Sequence, residues 1–383
     1  MRRPFQAPRR SGFTLVEVLI GMVIALIGMV MMFQVMSSWD ARKRTTSSGS
    51  DAQISGSIGM FTLERDLKLA GYGFGNSAAM GCTVSANDTT RTAPGLFTFT
   101  MAPVLITDGA GGAPDTIAVL YGSGTTMSSS QTFSNLSTTS IRLNSRTGMQ
   151  RGDLLIAADS NIPPLCGLFE ATGDANADGI SIDIGTGAYT NYVNNQNVDA
   201  QTSLAAGPLA LLQAKFLNNA GTARYNNNTQ KTVGVAGAAF NLGTSPRLNV
   251  WSVVNRRSLV FSNTLANQVT ATEVAEGIVN LQAQYGIDLN NDGVIDSTEW
   301  SAAAPAVWTQ VRAIRVGLLA RSQQYERTPV TPNAPTWAGG AFVMINLDGT
   351  PDTNPGTPND WRHYRYRIYE TVIPLRNMLW GQD

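Results

Sequence analysis

The sequence has few of the side chains on which enzymes and nucleic-acid-binding proteins rely. Its 383 residues include one histidine and two cysteines, and only 14% are charged, against about 25% in an average protein. Basic and acidic residues both number 27, so no net positive charge attracts nucleic acid. A single histidine and the lack of a Cys-x-x-C pair disfavour histidine-based metal sites, general-base chemistry and redox catalysis. We therefore expect a protein that is not an enzyme and has no nucleic-acid partner.

The rest of the composition is that of a folded chain. Hydrophobic residues make up 43% of the sequence, which is enough to build a substantial core. The length allows two or three domains, or one large core with long β insertions. The 37 glycines, with many serines, threonines and asparagines, indicate numerous turns between short strands.

A long apolar run stands close to the N-terminus. It extends from Phe13 to Val35 with Glu17 as its single charge, and it is long enough to span a bilayer, which needs about 20 residues. Four arginines precede it, so we expect a cytoplasmic N-terminus and a head outside the cytoplasm. An ordinary secretory signal has a shorter apolar segment and an A-x-A-like cleavage site, and neither is present here.

The start of this run resembles the type III signal of type IV prepilins. Residues 9–17 are Arg-Arg-Ser-Gly-Phe-Thr-Leu-Val-Glu. The resemblance implies that prepilin peptidase cleaves between Gly12 and Phe13 and that the new N-terminal Phe13 is methylated. Residues 1–12 would then be a leader, and the apolar segment would stay on the mature chain.

Glu17 is a charged residue within an apolar helix, where its carboxylate requires a partner or a position near the membrane surface. A carboxylate at the centre of a membrane-spanning helix costs about 2.5 to 3.5 kcal/mol. Cleavage after Gly12 would create an α-amine on Phe13, one helical turn before Glu17, which could pair with it in the same chain or in a neighbour. The alternative is that Glu17 extends to the membrane surface. The resemblance implies that Glu17 helps the subunit to enter a fibre.

Helical spacing continues beyond the apolar run. Apolar residues recur every three or four positions as far as Ala70, and Gly71 then ends the pattern. We predict one helix over residues 13–70, about 87 Å long, whose second half packs under a head formed by residues 71–383. The residues of the predicted packing stripe are Ile54, Ile58, Phe61, Leu63, Leu67 and Ala70.

The head has the pattern of a β-rich domain. Apolar and polar residues alternate over 279–285, 314–320 and 364–369, which predicts three strands of a sheet that packs on the helix. Shorter β-like runs occur at 116–121, 154–158 and 248–254, while the fold of the region 83–270 as a whole stays open. The expected class is α+β and pilin-like: a long N-terminal hydrophobic helix packed on an antiparallel sheet with large β-rich insertions.

Both ends of the chain resemble the PilW family of minor pilins. The resemblance implies a low-abundance subunit that helps to prime a type IV pilus and sits at its tip. Its expected partners are other minor pilins, the major pilin, a PilY-family tip adhesin, prepilin peptidase and the inner membrane, with the head first in the periplasm. The alternatives are a J-type minor pseudopilin of type II secretion and a membrane-anchored carbohydrate-binding adhesin. The segments that support the resemblance are 63–67, 70–73, 284–288, 312–319 and 364–370.

Residues 288–299 fit the calcium-loop pattern D-x-[DN]-x-[DN]-G-x5-E. Calcium takes six to eight oxygen ligands, and a glycine at the sixth position allows the sharp turn that brings them together. We therefore predict a structural calcium ion here, the alternative being a turn rich in Asp and Asn without metal. The predicted ligands are Asp288, Asn290, Asp292, the Val294 carbonyl, Asp296 and Glu299. A weaker copy at 174–185 has Gly185 in place of the final Glu, and whether it binds metal stays open.

The two cysteines and one face of the last predicted strand give two further predictions. Cys82 and Cys166 are the only cysteines, and a head outside the cytoplasm favours a disulfide between them, with free thiols as the alternative. The last predicted strand presents Arg365, Arg367 and Tyr369 on one face, which is either solvated or binds a partner.

Overall fold

The computed structural model of the protein describes most of the chain, including the N-terminal helix and most of the C-terminal third up to residue 379. The side chains of residues 40–48 and the whole of Phe13 lie outside this description. The described residues are Gly12, 14–75, 77–92, 95–124, 130–145, 149, 152–160, 165–174, 178–186, 192–193, 196–197, 223–226, 236–350 and 359–379.

One long helix, α1 (Leu15–Leu69), begins the described chain. It ends where Gly71 adopts a positive φ of 79°, a conformation that glycine takes readily. Its first part, Leu15–Trp39, is long and apolar enough to cross a membrane, and none of it is buried by the head. Its second part is packed against the head from Ala52 onward.

The second part of α1 has two apolar faces, not the single stripe that spacing suggested. Leu63, Leu67 and Ala70 are buried under the head. The outer stripe, which we define as Ile54, Ile58 and Phe61, is exposed. At about 100° per residue these two sets lie about 180° apart, so the predicted stripe merged opposite faces of one helix.

A four-stranded antiparallel sheet lies under α1 and confirms the predicted architecture. In spatial order the strands are β18 (Trp300–Ser301), β17 (Ile278–Ile287), β19 (Val311–Arg321) and β22 (Tyr366–Pro374). Alternate residues of the central strand β19, Ile314, Val316, Leu318 and Ala320, belong to the core that α1 closes. On the opposite face, Leu319 packs with Trp337 and Phe342. A short helix, α2 (Arg376–Leu379), follows β22.

Gly56 allows α1 to lie close to Tyr369 of this sheet. A Cβ on Gly56 would lie 2.0 Å from the Tyr369 ring. The Tyr369 hydroxyl donates to the Gln53 carbonyl at 2.8 Å. The face predicted to hold Arg365, Arg367 and Tyr369 is therefore covered at Tyr369 by the chain's own helix, and Arg365 pairs with Glu326.

Two further sheets form the rest of the head. The five-stranded sheet has the order β16 (Thr272–Glu276), β15 (Ser258–Asn263), β14 (Arg247–Val254), β4 (Ala113–Tyr121), β3 (Val104–Gly109). The nine-stranded sheet has the order β2 (Leu96–Thr100), β1 (Thr83–Asn87), β8 (Cys166–Glu170), β7 (Leu154–Asp159), β13 (Gly237–Gly243), β5 (Gln131–Leu136), β6 (Ser140–Leu143), β10 (Ser181–Asp183), β9 (Gly173–Asp174). Neighbouring strands in both sheets are antiparallel, apart from one parallel pair, β1 with β8. The two-stranded pairs are β11 (Tyr192–Val193) with β12 (Gln196–Asn197), and β20 (Thr336–Trp337) with β21 (Gly340–Ala341).

The nine-stranded sheet is buried on both sides at its centre. Leu154, Ile156 and Ala158 of β7 join the main core beside α1. Leu155 and Ala157 face a second apolar cluster, which includes Phe133 of β5 and Ile182 of β10. A strand buried on both faces has no polar alternation, which explains the continuous apolar run in this part of the sequence.

The two cysteines form the predicted disulfide. Cys82 and Cys166 are bonded, with their Cα atoms 6.2 Å apart and a separation of 84 positions in sequence. Cys82 precedes β1 and Cys166 begins β8, so the disulfide closes the end of the parallel β1–β8 pair. The described part of the chain has no free cysteine.

Candidate functional site

The N-terminus of α1 has a capping box in which Glu17 takes part. Its carboxylate accepts hydrogen bonds from the backbone N–H and the hydroxyl of Thr14, both at 3.2 Å. In return, the Glu17 N–H donates to the Thr14 hydroxyl at 3.4 Å. The Thr-x-x-Glu spacing is the sequence signal of this motif, and it was available from the sequence. Glu17 therefore has a partner within its own helix while the leader is attached, whereas the predicted partner, the amine of Phe13, falls outside the described residues.

A buried aspartate fastens the second part of α1 to the head. Asp66 is 4% exposed. Its Oδ2 accepts from Asn249 Nδ2 at 2.7 Å and from Trp251 Nε1 at 2.9 Å. Its Oδ1 accepts from the Tyr121 hydroxyl at 3.1 Å. Burial and the nearby charge of Asp66 raise the pKa of Tyr121, so Tyr121 stays a hydrogen-bond donor.

The role of Asp66 was not predicted from the sequence, although a signal for it is present there. Asp66 lies between Leu63 and Leu67 on the face of α1 that the head buries. An acidic residue in that place needs donors from the domain that covers it. Because the three donors come from β4 and β14, the contact ties the helix to the five-stranded sheet as well as to the sheet beneath it.

The loop of residues 288–299 is linked to the C-terminal end of α1 through the start of β19 and residues 375–377. It connects β17 to β18, and its first residue follows Ile287, which pairs with Val311 at the start of β19. Beside that start, Leu375 N–H donates to the Arg312 carbonyl. Asn377 Nδ2 in turn donates to the carbonyls of Leu69 and Ala70 at the end of α1. The loop therefore projects near the C-terminal end of α1.

Two of the predicted calcium ligands, Asp288 and Glu299, accept hydrogen bonds from backbone N–H groups of the loop. Asp288 is fully buried and accepts from the N–H groups of Asp292 and Gly293, both at 3.1 Å. Glu299, at 7% exposure, accepts from Leu289 N–H at 2.9 Å and from Asp296 N–H at 2.8 Å. These bonds orient both carboxylates into the loop.

The remaining predicted ligands are nearer to solvent. Asn290 Oδ1 accepts from the Asp292 N–H at 3.1 Å, and Asp292 Oδ1 accepts from the Val294 N–H at 2.8 Å. Gly293 has a positive φ of 82°, as the turn requires. Arg312 Nε lies 3.4 Å from Asp288 Oδ2 and supplies a positive charge to that carboxylate.

The carboxylates of Asp288, Asp292 and Glu299 accept hydrogen bonds from backbone N–H groups of this loop. Among the residues that the structure describes, His, Cys, Asp and Glu side chains do not gather in a group of three that holds a metal ion. Calcium at residues 288–299 therefore stays a prediction. In the weaker copy, Asp178 accepts from the Ser181 N–H and hydroxyl and lies 3.7 Å from Arg142, so it has partners without a metal.

Asp88 and Arg224 form a buried ion pair in the head. Arg224 donates to both carboxylate oxygens of Asp88, at 2.7 and 2.6 Å. Burial raises the pKa of Asp88, but hydrogen bonds from Arg224 and Thr90 outweigh it and leave that pKa below its usual value. His363 lies in a turn before β22, not on the strand, and its Nδ1 is 2.7 Å from the Glu326 carbonyl oxygen.

Comparison with known families matches both ends of the chain. The model of the type IV pilus-assembly protein W family, PilW, matches residues 249–377, and that of the prokaryotic N-terminal methylation motif matches residues 7–33. No curated protein and no solved structure matches the chain. The PilW region includes the sheet beneath α1 and the 288–299 loop, and the methylation motif includes Gly12, Phe13 and Glu17.

These matches agree with the structure at each end. Residues 15–33 of the methylation motif lie on a helix whose apolar first part is free of the head, as in a membrane-anchored precursor. The PilW region forms the sheet that holds the second part of that helix. Residues 249–377 are therefore similar to PilW and residues 7–33 to the start of a prepilin, which together fit a precursor anchored in the inner membrane with its head in the periplasm.

Proposed function

We propose that this chain is a minor pilin that is cut by prepilin peptidase, enters a type IV pilus through α1, and helps to prime assembly and cap the tip. The observation behind this proposal is the division of α1 into two parts. Leu15–Trp39 is exposed on every side, so its apolar surface needs lipid in the precursor and neighbouring apolar helices in a fibre. The second part is fixed to the head, so the head moves with the helix when the helix leaves the membrane.

The capping box supports a specific order of events. Before cleavage, Thr14 supplies the donors that hold Glu17 at the start of α1. Cleavage after Gly12 places a positive α-amine on Phe13, next to Thr14. Glu17 can then exchange its neutral donors for this charge, or for the same charge on a neighbour, because charge-assisted hydrogen bonds are stronger. Processing would thus prepare Glu17 for assembly.

Mass spectrometry and fibre counting test the proposal. The chain recovered from purified fibres should begin at methylated Phe13, and deletion of the gene should greatly reduce the number of fibres. An intact leader in the fibres would contradict the processing step. Unchanged fibre number with lost surface binding would indicate a carbohydrate-binding adhesin, and normal fibres with lost protein secretion would indicate a J-type pseudopilin.

The proposed partners follow from the same role. They are other minor pilins, the major pilin, a tip adhesin of the PilY family and prepilin peptidase. Crosslinking in intact cells followed by purification of the full chain should recover the minor pilins and the adhesin together. Recovery with secretion components alone would contradict the pilus assignment. We further propose a structural role without catalysis, since the buried acids Asp66, Asp88 and Asp288 all have structural partners.

We propose that the 288–299 loop binds calcium and that the ion stiffens this loop. Three features support the proposal: the twelve-position spacing, the turn at Gly293, and the orientation of Asp288 and Glu299 into the loop. Small rotations about side-chain bonds would exchange backbone N–H donors for a cation. Arg312 is the competing positive charge, because it already lies beside Asp288.

Calcium titration of the purified full chain tests this proposal. Calcium should raise the melting temperature of the head, and Asp292→Ala should remove that increase, because Asp292 is an exposed ligand position. Asp348→Ala is the matched control, since Asp348 is an exposed turn aspartate outside the loop. An equal melting temperature of the wild-type head in calcium and in chelator would rule the ion out.

A further inference from the structure

A small cavity lies on the face of the four-stranded sheet that α1 does not cover. Its volume is about 30 Å³, which is room for about two water molecules. Val279, Leu319 and Tyr366 of that sheet line it, together with residues 343–345. Arg256, in the turn between β14 and β15 of the five-stranded sheet, lines it as well. The cavity is therefore formed by segments that only the folded head brings together.

Arg256 has a buried guanidinium nitrogen that lacks an acceptor. Its Nη1 atom is shielded from solvent and has no hydrogen-bond partner among the described residues, while the side chain as a whole is partly exposed. Other arginines of the head are paired: the adjacent Arg257 with Glu276, and Arg224 with Asp88. A buried donor on a charged group is costly when it is left unpaired. A ligand that supplies an acceptor at Nη1 would remove that cost.

The polar groups around the cavity do not supply this acceptor. The Asn280 amide oxygen accepts from Gln282 Nε2 at 3.0 Å, and the Gly112 carbonyl accepts from Asn280 Nδ2 at 3.1 Å. Both oxygens belong to residues that line the cavity, and both are engaged with other donors. The charge of Arg256 is therefore not balanced by the lining.

A second arginine adds to the positive charge at this place. Burial raises the pKa of Tyr366, so its hydroxyl stays protonated and neutral, and Arg321 forms a hydrogen bond with it. The acid that acts on Tyr366 is Asp360, which pairs with Arg362 at 3.1 Å. The surroundings of the cavity therefore favour an anion.

The backbone of Arg256 is an independent sign that this residue is kept for a reason other than stability. Arg256 has a positive φ of 49° and follows Asn255, which has a φ of 51°. The Arg257 N–H donates to the Val254 carbonyl at 3.0 Å, so Asn255 and Arg256 are the two central residues of a tight turn. Glycine is the favoured second residue of such a turn, because a Cβ in the left-handed conformation crowds the backbone. Arginine here strains the turn and leaves a buried charge unpaired, and strained residues of this kind cluster at binding sites.

We propose that this cavity binds a carboxylate group through Arg256. A carboxylate is small, planar and matched to the guanidinium of arginine. Val279 and Leu319 offer apolar contact to the carbon atoms that carry it. A tetrahedral anion such as sulfate would bury more oxygens than this lining has donors to satisfy. The group belongs either to a small organic acid or to an acidic side chain or chain end of a partner protein.

The site is separate from the 288–299 loop and does not depend on entry into a fibre. Val279 and Asn280 lie at the start of β17, whereas the loop follows the end of that strand. Failure of the carboxylate site would therefore leave the proposed function and the calcium proposal as they stand.

Thermal unfolding with acetate as the probe tests the site. The full chain in nonionic detergent micelles would be melted at neutral pH in chloride, sulfate or acetate at equal ionic strength. Acetate should raise the melting temperature by about 1 to 3 °C over chloride, and sulfate should not. Arg256→Gly should abolish this increase. Arg257→Ala is the matched control, because it removes the same charge from the same turn but from an exposed, paired residue, and it should keep the increase. No shift with acetate, or an equal shift with sulfate, would overturn the proposal.

The same variant without acetate separates a binding role from a structural one. Glycine relieves the left-handed backbone at position 256 and removes the unpaired charge, so Arg256→Gly should melt about 1 to 3 °C above the wild-type chain in chloride. A lower melting temperature of Arg256→Gly would show that Arg256 stabilises the head, and it would overturn the proposal.

Two further measurements distinguish the sources of the natural carboxylate. If a partner protein supplies it, acetate should release that protein from the immobilised wild-type chain, and Arg256→Gly should not retain it. If a small organic acid supplies it, denaturing the purified wild-type chain should release about one equivalent of the acid, and denaturing Arg256→Gly should release none. Neither result in either measurement would overturn the proposal.

Discussion

Asp66→Ala is the substitution that should most directly separate α1 from the head. It removes the described acceptor of three donors, on Tyr121, Asn249 and Trp251, in a place that is 4% exposed. Each buried donor left without a partner costs about 1 to 3 kcal/mol, and a water molecule in the vacated space would offset part of that cost. We expect the free energy of unfolding to fall by about 3 to 5 kcal/mol.

Asp66→Asn should be much milder, and the structure gives the reason. The Asn249 Oδ1 atom is buried without a hydrogen-bond partner. An amide at position 66 can donate to that oxygen and still accept with its own, so only part of the network is lost. The expected loss is about 1 to 2 kcal/mol.

Urea unfolding of the full chain in detergent micelles, followed by tryptophan fluorescence, measures both effects. Glu64→Ala is the control on the same helix, because the Glu64–Lys68 ion pair is partly exposed and should be worth about 0.5 kcal/mol. Hydrogen exchange should show faster exchange of the amides of residues 52–69 in Asp66→Ala. A loss in Asp66→Ala no larger than that in Glu64→Ala would refute the reasoning.

Three further substitutions have clear expected outcomes. Cys82→Ser should lower stability by about 4 to 5 kcal/mol, since the disulfide closes an 84-residue loop, and reductant should destabilise the wild-type chain but not the variant. Burial raises the pKa of Asp115 from 3.8 to about 6, so the folded state keeps a proton that the unfolded state has lost, and stability should fall by about 3 kcal/mol as pH rises from 4 to 6 and above. Urea unfolding at pH 4 and pH 7.5 should show a smaller decrease in the free energy of unfolding for Asp115→Asn, which cannot ionise, than for the wild-type chain. An equal decrease in both proteins would show that Asp115 is not its source. Glu17→Ala should reduce incorporation into fibres and leave membrane insertion intact, and incorporation at the wild-type level, measured by immunoblot of sheared fibres, would remove the role of Glu17.

The sequence was most informative where its periodicity had one cause. The β19 alternation of Ile314, Val316 and Leu318 with Arg315 and Gly317 correctly predicted a strand with one face toward α1. The membrane segment was equally clear, because a run of about 20 mostly apolar residues with a single charge is typical of a membrane-spanning helix. The disulfide needed only two cysteines and a compartment that favours oxidation.

Periodicity failed where two surfaces shared one helix. Phe61 and Leu63 are two residues apart and therefore lie on opposite sides of α1. Apolar residues on both sides look like one broad stripe when only the spacing is counted. Which side the head covers is decided by contacts far away in sequence, such as Tyr369 against Gly56, and these do not leave a local pattern.

The same limit explains Asp66 and the middle of the chain. The donors to Asp66 are 55 to 185 residues away in sequence, so the sequence showed an anomalous acid but not its partners. In the nine-stranded sheet, β7 is buried on both faces, and such a strand resembles any other short apolar run. In the sheet, β7 pairs with β8, which follows it in sequence, and with β13, which is far from it in sequence.

The second apolar cluster has a consequence for how this protein can diversify. Its members, among them Phe133, Ile141 and Ile182, pack on the far side of the nine-stranded sheet and do not contribute to the core that α1 closes. Mutations in this cluster can accumulate, or whole loops can be exchanged, without weakening the packing of the head on α1. Natural variation, and the grafting of foreign epitopes by protein engineers, should therefore be tolerated best in that lobe.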